Sequence, residues 1–289
     1  MANLRAIRTR IKSVENTRQI TKSMKMVAAA KLRRTQSAFS SLRDFSGRCA
    51  DMLAKVAAGA APPDDPLLRR HEKDEKVCYV LIVGNRGLCG TYNSALLRSL
   101  EELAAAEARE KFLVLCGRWG RDLIPGLGLP IRESFEISDT PDAAEAARVA
   151  AFLRELYGGG EADEVVLVYQ QFRSVLQQRP VSMSLLPMTL EAAGGEDGSR
   201  WLFEPDRDSL LSVLAELALT NTVHTALLEA RTGEHSARMT AMTAAADNTE
   251  ELINDLTLEL NHARQAAITT EITEIASGAE ALRNSKAGG

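Results

Sequence analysis

Apolar residues recur at helical spacing at both ends of the chain and at strand spacing only between them. At the start, Leu4, Ile7, Ile11 and Val14 step by 3, 4 and 3. After a slip, Thr17, Ile20, Met24 and Val27 repeat those steps, which predicts a coiled-coil seam with one register break. At the other end Ile253, Leu256, Leu260, Ala263 and Ala267 step by 3, 4, 3 and 4, and the stripe then passes to Ile268, Ile272, Ile275, Ala279 and Leu282. In the middle the period changes. The runs 77–83 (VCYVLIV), 112–116 (FLVLC) and 164–172 (EVVLVYQQF) read as buried strands, and 93–110 and 142–157 as helices between them. Residues 175–188 add a strand or hairpin at one edge, and the polar loop 191–200 closes the region.

The helix breakers divide the chain in the same way. All nine prolines lie between Pro62 and Pro205, no glycine precedes Gly47, and from 206 to 277 the only breaker is Gly233. Proline costs a helix interior about 3 kcal/mol and glycine about 1, so these ends are free to form very long helices. Strand alternating with helix in the middle calls for a small, mainly parallel sheet. The expected fold class is α/β plus long coiled coil: an antiparallel pair of N- and C-terminal helices with an inserted small Rossmann-like α/β domain. The expected domains are an N-terminal coiled-coil helix at 1–58, a linker at 59–76 containing AGAAPPDDP, the α/β domain at 77–205 and a C-terminal coiled-coil helix at 206–289.

Charge adds polarity to this layout. The net charge is −4. Residues 1–34 nevertheless carry ten Lys or Arg against Glu15 alone, whereas 247–289 carry eight acids against Arg264, Arg283 and Lys286. Opposite charge on two helical arms suits mutual pairing. Nucleic-acid binding by the basic arm is disfavoured, because no aromatic ring for base stacking is interleaved in residues 1–38. A basic, acid-poor start also resembles a mitochondrial transit peptide, but its periodicity runs past residue 40 without a cleavage-like break, favouring a bacterial protein. No run is expected to reach the roughly 20 apolar residues that span a bilayer. The four cysteines form neither a CxxC pair nor a dense framework, so reduced structural thiols are expected and no metal site.

Few residues suggest chemistry. Gly84, Gly87 and Gly90 in VGNRGLCG follow a strand and precede a helix, where glycine turns often hold phosphate. Their GxxGxxG spacing matches neither a dinucleotide fingerprint nor a P-loop, so a tight turn with positive-φ positions is the better reading and no cofactor is expected. His71, His224, His235 and His262 are scattered without a nucleophile placed beside any of them. Glu271 and Glu274 can pair at i, i+3, most simply on a solvated or interprotein face. Arg238, Arg264 and Gln265 read as exposed helix residues, with the arginine fork suited to carboxylates on another chain.

Three stretches taken together resemble the gamma subunit of F-type ATP synthases. They are 10–34 (RIKSVENTRQITKSMKMVAAAKLRR), the turn 85–90 (NRGLCG) and 233–282, which contains GEHSARMTAMTAAADNTEELI and ARQAAITTEITEIASGAEAL. The resemblance implies a non-catalytic central shaft whose terminal helices turn inside a ring of alternating alpha and beta subunits. Its α/β domain would lie outside, beside the epsilon subunit and the c-ring, and the chain would be peripheral to the cytoplasmic face of a bacterial inner membrane. It implies beta-subunit coupling contacts at Met24, Arg238, Arg264, Gln265, Thr269 and Glu271, and c-ring or epsilon contacts at Trp201 and Glu204. Thr91 stands where a glycine is frequent in the family, and Trp201 where a tyrosine is common.

Overall fold

A computed structural model describes residues 2–57, 65–121, 124, 128–189, 204 and 206–287. The elements follow the order α1 (Ala2–Ala57), β1 (Lys76–Ile82), α2 (Tyr92–Ala106), β2 (Glu110–Cys116), β3 (Ile131–Phe135), α3 (Ala143–Gly158), β4 (Glu164–Ser174), β5 (Gln177–Leu186) and α4 (Arg207–Ala287). The chain divides into two compact units, one of 1–26 with 242–289, the other of 27–241.

In the first unit two helix segments pair along narrow seams. The α1 seam runs through Leu4, Ile7, Ile11, Val14, Arg18, Thr21 and Lys25 at steps of 3 and 4, so the expected register break does not occur. Thr17 is exposed and Ile20 is 59% exposed, while Val27, just inside the second unit, is 55% exposed. A slip would rotate the contact face by about 100° around the helix, which continuous pairing does not tolerate. The polar seam residues are accommodated because Thr21 Oγ1 donates to the carbonyl of Arg18 at 2.9 Å and Arg18 lays its stem along the seam to reach Glu250 at 3.7 Å. Such a half-exposed pair contributes about 0–1 kcal/mol. The α4 seam keeps its expected register: Ile253, Leu260, Ala263 and Ala267 are half-buried and Leu256 is buried. Beyond it Ile268, Ile272 and Ile275 are 45%, 62% and 67% exposed.

The second unit holds the sheet, ordered β3-β2-β1-β4-β5, with β5 antiparallel to β4 and the rest parallel. β1 is buried along nearly its whole length, as its unbroken apolar run requires. β3 has no such run. Its sequence IRESF alternates around charged residues because it is a half-exposed edge strand, and the apolar pattern does not reveal it. The helix expected over 93–110 ends at Ala106, where Glu107 turns extended and Lys111 Nζ donates to the carbonyls of Ala104 and Glu107 at 2.9 and 2.8 Å. α3 begins at a full capping box: Asp142 accepts from the Glu145 amide at 2.8 Å while Glu145 reaches back to Asp142 N–H.

Residues 27–57 of α1 lie antiparallel to the start of α4. Ser46 Oγ meets Thr225 Oγ1 at 2.9 Å, Asn221 Nδ2 donates to Cys49 Sγ at 3.6 Å and Arg207 Nε donates to the Val56 carbonyl at 2.6 Å. Leu53 and Val56 join α3, β4 and Leu211, Leu214, Leu219 and Leu227 of α4 in one core beneath the sheet. Asp206 caps α4, accepting from the Ser209 amide at 2.8 Å. One 18-residue window of α4 reaches a mean hydropathy of 1.3, long and apolar enough by composition to cross a membrane, contrary to expectation. Half of that window is buried inside the protein, which is the other use of the same composition.

Candidate functional site

The carboxyl ends of β1 and β4 are covered by the chain's own helix. α4 crosses there at Gly233, whose missing side chain allows the approach: a Cβ would lie 3.2 Å from Tyr92 Cε2 and 3.6 Å from Gln178 Cγ. Tyr92 at the start of α2 donates its hydroxyl proton to the Ala230 carbonyl at 2.6 Å, and Gln170 of β4 donates to the Tyr92 carbonyl at 3.0 Å. On the other side of Gly233, Ser236 donates to the Val175 carbonyl at 2.7 Å. One turn before it, Glu229 accepts from the Phe172 amide at 3.0 Å. Each of these contacts fixes the azimuth of α4 as well as its height above the sheet.

Next to Gly233 lies a buried chain of charges, with Arg231, Glu234 and His235 each 1% exposed and Arg238 9%. Glu234 Oε2 accepts from Arg231 Nη1 at 2.7 Å; its Oε1 accepts from Arg238 Nη2 at 2.6 Å and from the Asn85 amide at 3.2 Å. Arg231 spends its other donors on the carbonyls of Val83, Ile137 and Ser138 and on Asn85 Oδ1, at 2.9–3.2 Å. Arg238 reaches the carbonyls of Arg86 and Gly87 at 3.1 and 3.3 Å. Burial pushes the Glu234 carboxyl up, but the two guanidiniums outweigh it and hold the group below its ordinary range. His235 is pushed down, first by burial. Its Nε2 lies 3.2 Å from the Asp139 carbonyl, which only accepts, and its Nδ1 lies 3.4 Å from Arg238 Nη1, which only donates, so the neutral ring carries its proton on Nε2. Lys31 of α1 pairs with the Asp139 carboxylate at 2.5 Å and ties that helix to the same corner.

The glycine turn is the receptor of this cluster. Of its three glycines only Gly90 takes a positive φ, 60°, and the other positive-φ position of the turn is Leu88, also at 60°. Gly84 leaves room for the carboxylate, since a Cβ there would lie 3.0 Å from Glu234 Cδ. Asn93 Oδ1 accepts from the Gly84 amide at 2.9 Å. Where a phosphate loop would hold its ligand, this turn holds a carboxylate of its own chain.

The sequence-selected residues fall in different places. Met24 is half-buried on α1, and Arg264, Gln265, Thr269 and Glu271 are all exposed on α4, with Thr269 Oγ1 donating to the Gln265 carbonyl at 2.9 Å. These five belong to the first unit. Arg238 belongs to the second and is buried, not exposed as expected: the i, i+4 pairing with Glu234 and two loop carbonyls satisfy its fork. Glu204 is exposed just before α4, and Trp201, like the loop 191–200 and residues 59–64, lies outside the described residues. Sequence reasoning does not single out Arg231 and Glu234, and reads His235 only as one of four scattered histidines. The signal of the first two was present, because Arg231, Glu234 and Arg238 place charge at i, i+3 and i+7, on one face of an uninterrupted helix and around its single glycine.

Two of the other histidines have structural partners. His71 Nδ1 lies 3.1 Å from Asp163 Oδ1 and its ring stacks on Tyr157 at 4.3 Å; His224 Nε2 lies 3.1 Å from the Pro141 carbonyl. All four cysteines are free and buried, and burial pushes Cys78 and Cys116 up to about 12. Among the described residues no group of three or more His, Cys, Asp or Glu is placed to hold a metal ion.

Comparison with known proteins gives one consistent answer. A family model described as ATP synthase matches residues 3–282. The ATP synthase gamma chain of Desulforamulus reducens is 44% identical over 289 residues, covering 98% of this chain and 100% of that one. The ATP synthase gamma chain of Moorella thermoacetica is 41% identical over 284 residues with the same coverage. The fold is shared with the rotor of the Euglena gracilis mitochondrial ATP synthase, at a TM-score of 0.67 and 22% identity over 92% of this chain and 99% of that one. It is shared also with the central stalk and c-ring assembly of Tetrahymena thermophila mitochondrial ATP synthase, at a TM-score of 0.59 and 23% identity over 78% and 99%.

Proposed function

Because this chain belongs to the gamma-chain family of ATP synthases, we propose that it is the central shaft of an F-type enzyme. It couples ion-driven rotation of the membrane c-ring to sequential conformational changes of the catalytic beta subunits, and itself performs no chemistry. The observation that carries this reading is the match over 98% of the chain to gamma chains matched over their whole length. The exposed isoleucines 268, 272 and 275 agree with it, since an apolar stretch left uncovered among the described residues is expected to be sheathed by other proteins.

In this reading Met24, Arg264, Gln265, Thr269 and Glu271 meet the beta subunits, and Arg238 acts on them through the 86–87 backbone it holds. Trp201 and Glu204 meet the epsilon subunit and the c-ring. The helices 1–58 and 206–289 enter the ring of alpha and beta subunits, the linker 59–76 leads out of it, and the α/β domain 77–205 stays outside. The chain is peripheral to the membrane through the complex, on the cytoplasmic face of a bacterial inner membrane.

The test is rotation. Ala105 is exposed on α2 and all four native cysteines are buried, so an Ala105→Cys variant takes a bead at one place. Assembled with its host's alpha and beta subunits, the bead turns stepwise when ATP is supplied. Active complexes whose freely mobile bead never turns would reduce the chain to a static scaffold.

A further inference from the structure

In open α/β sheets ligands bind outside the carboxyl ends of the strands, at the point where strand order reverses. Here that point lies between β1, whose helix α2 leads to β2 on one side, and β4 on the other. The crevice there has the parts of an anion site. It has a glycine turn, a backbone N–H from Asn85 and two buried guanidiniums converging on one place. The occupant is the Glu234 carboxylate, with donors at 2.6, 2.7 and 3.2 Å. We propose that this crevice is a genuine oxyanion site, which the chain has filled with Glu234 as an internal ligand, and that this occupancy pins α4 to the α/β domain.

Two features separate a site with a ligand from an ordinary buried ion pair. First, the guanidiniums are anchored without the carboxylate: Arg231 by three carbonyls and Asn85 Oδ1, Arg238 by the carbonyls of Arg86 and Gly87. They stay aimed at the vacated position when the carboxylate is removed. Second, two buried cations face this one carboxylate, so its removal leaves both uncompensated in a low-dielectric pocket and raises the demand for an anion. Replacing glutamate by alanine takes away Cγ, Cδ and two oxygens, which are the heavy atoms of acetate. The ligand class of the emptied site is therefore a small carboxylate.

Thermal and chemical unfolding of the full chain in acetate, against chloride at equal ionic strength, tests this with two variants that lose the same charge. Glu234→Ala makes room for the anion and Glu234→Gln does not. Acetate at ten times its dissociation constant is expected to raise the Glu234→Ala folding equilibrium constant about elevenfold, as binding to the folded state alone requires. Wild type and Glu234→Gln stay unmoved. Saturation transfer from the protein to acetate is expected in the NMR spectrum of Glu234→Ala and lost when Arg238→Met is added. An acetate response in Glu234→Ala no larger than in Glu234→Gln overturns the proposal. So does a Glu234→Ala chain that stays unfolded in acetate while Glu234→Gln folds, since an anion site with preformed donors would have been refilled.

Discussion

Replacing Arg231 by methionine, which keeps the stem and removes the fork, isolates the electrostatics of α4 docking. The side chain is 1% exposed and donates to Glu234, Asn85 Oδ1 and the carbonyls of Val83, Ile137 and Ser138. Breaking a buried pair by removing one partner costs about 3–5 kcal/mol, because the other charge stays behind without it. At about 2–4 °C per kcal/mol for a protein of this size class, the melting temperature falls by roughly 6–20 °C. The pH dependence identifies the cause. In the wild type Glu234 lies below its ordinary value, so its contribution is fully present above that value and lost as pH falls through the folded one. Without Arg231 the carboxyl moves up, since burial is its largest perturbation. The difference between wild type and variant is therefore full at neutral pH and shrinks as acid protonates Glu234 in the variant. Urea unfolding at a series of pH values from neutral to mildly acid measures it. A loss below about 1 kcal/mol, or a difference constant across that range, refutes the reasoning.

Three further outcomes follow from the same structure. Gly233→Val lowers stability by about 1–3 kcal/mol despite removing a helix glycine, because the new side chain meets Tyr92, itself held by its bond to Ala230; an unchanged denaturation midpoint would contradict the close approach. Arg264→Ala with Gln265→Ala leaves the unfolding of the isolated chain within about 0.5 kcal/mol, both residues being exposed, but, on the proposed contacts with the beta subunits, lowers ion pumping per ATP hydrolysed in the assembled complex. Intact coupling would remove both from the contact set. Cys78 and Cys116, pushed up to about 12 by burial, do not react with a disulfide reagent at pH 8 until the protein is unfolded in guanidinium; rapid labelling of either in the native state would show that the sheet opens.

Much of this architecture is a local property and was legible in the chain. The long helices follow from spans without proline, and the α4 seam from Ile253 to Ala267 follows from its 3, 4 spacing, because each depends only on neighbours a turn or two away. β1 and β4 announce themselves by apolar runs, since a central parallel strand is buried on both faces. Where polar residues take apolar places the local signal fails. Arg18, Thr21 and Lys25 carry the α1 seam while Ile20 faces outward, and β3 hides its edge position behind charged residues.

The docking corner was decided by tertiary structure alone. The sequence determined that α4 runs helical through Gly233 and that charges flank it at i, i+3 and i+7. It did not determine that Glu234 sits on the turn at Asn85, because the two are 149 positions apart and the sequence does not encode which crevice a helix face meets. Only the sheet order, which puts the reversal of strand order at the carboxyl ends of the paired strands β1 and β4, and the missing Cβ atoms of Gly84 and Gly233, which let helix and turn close there, turn three charged residues into a buried pin.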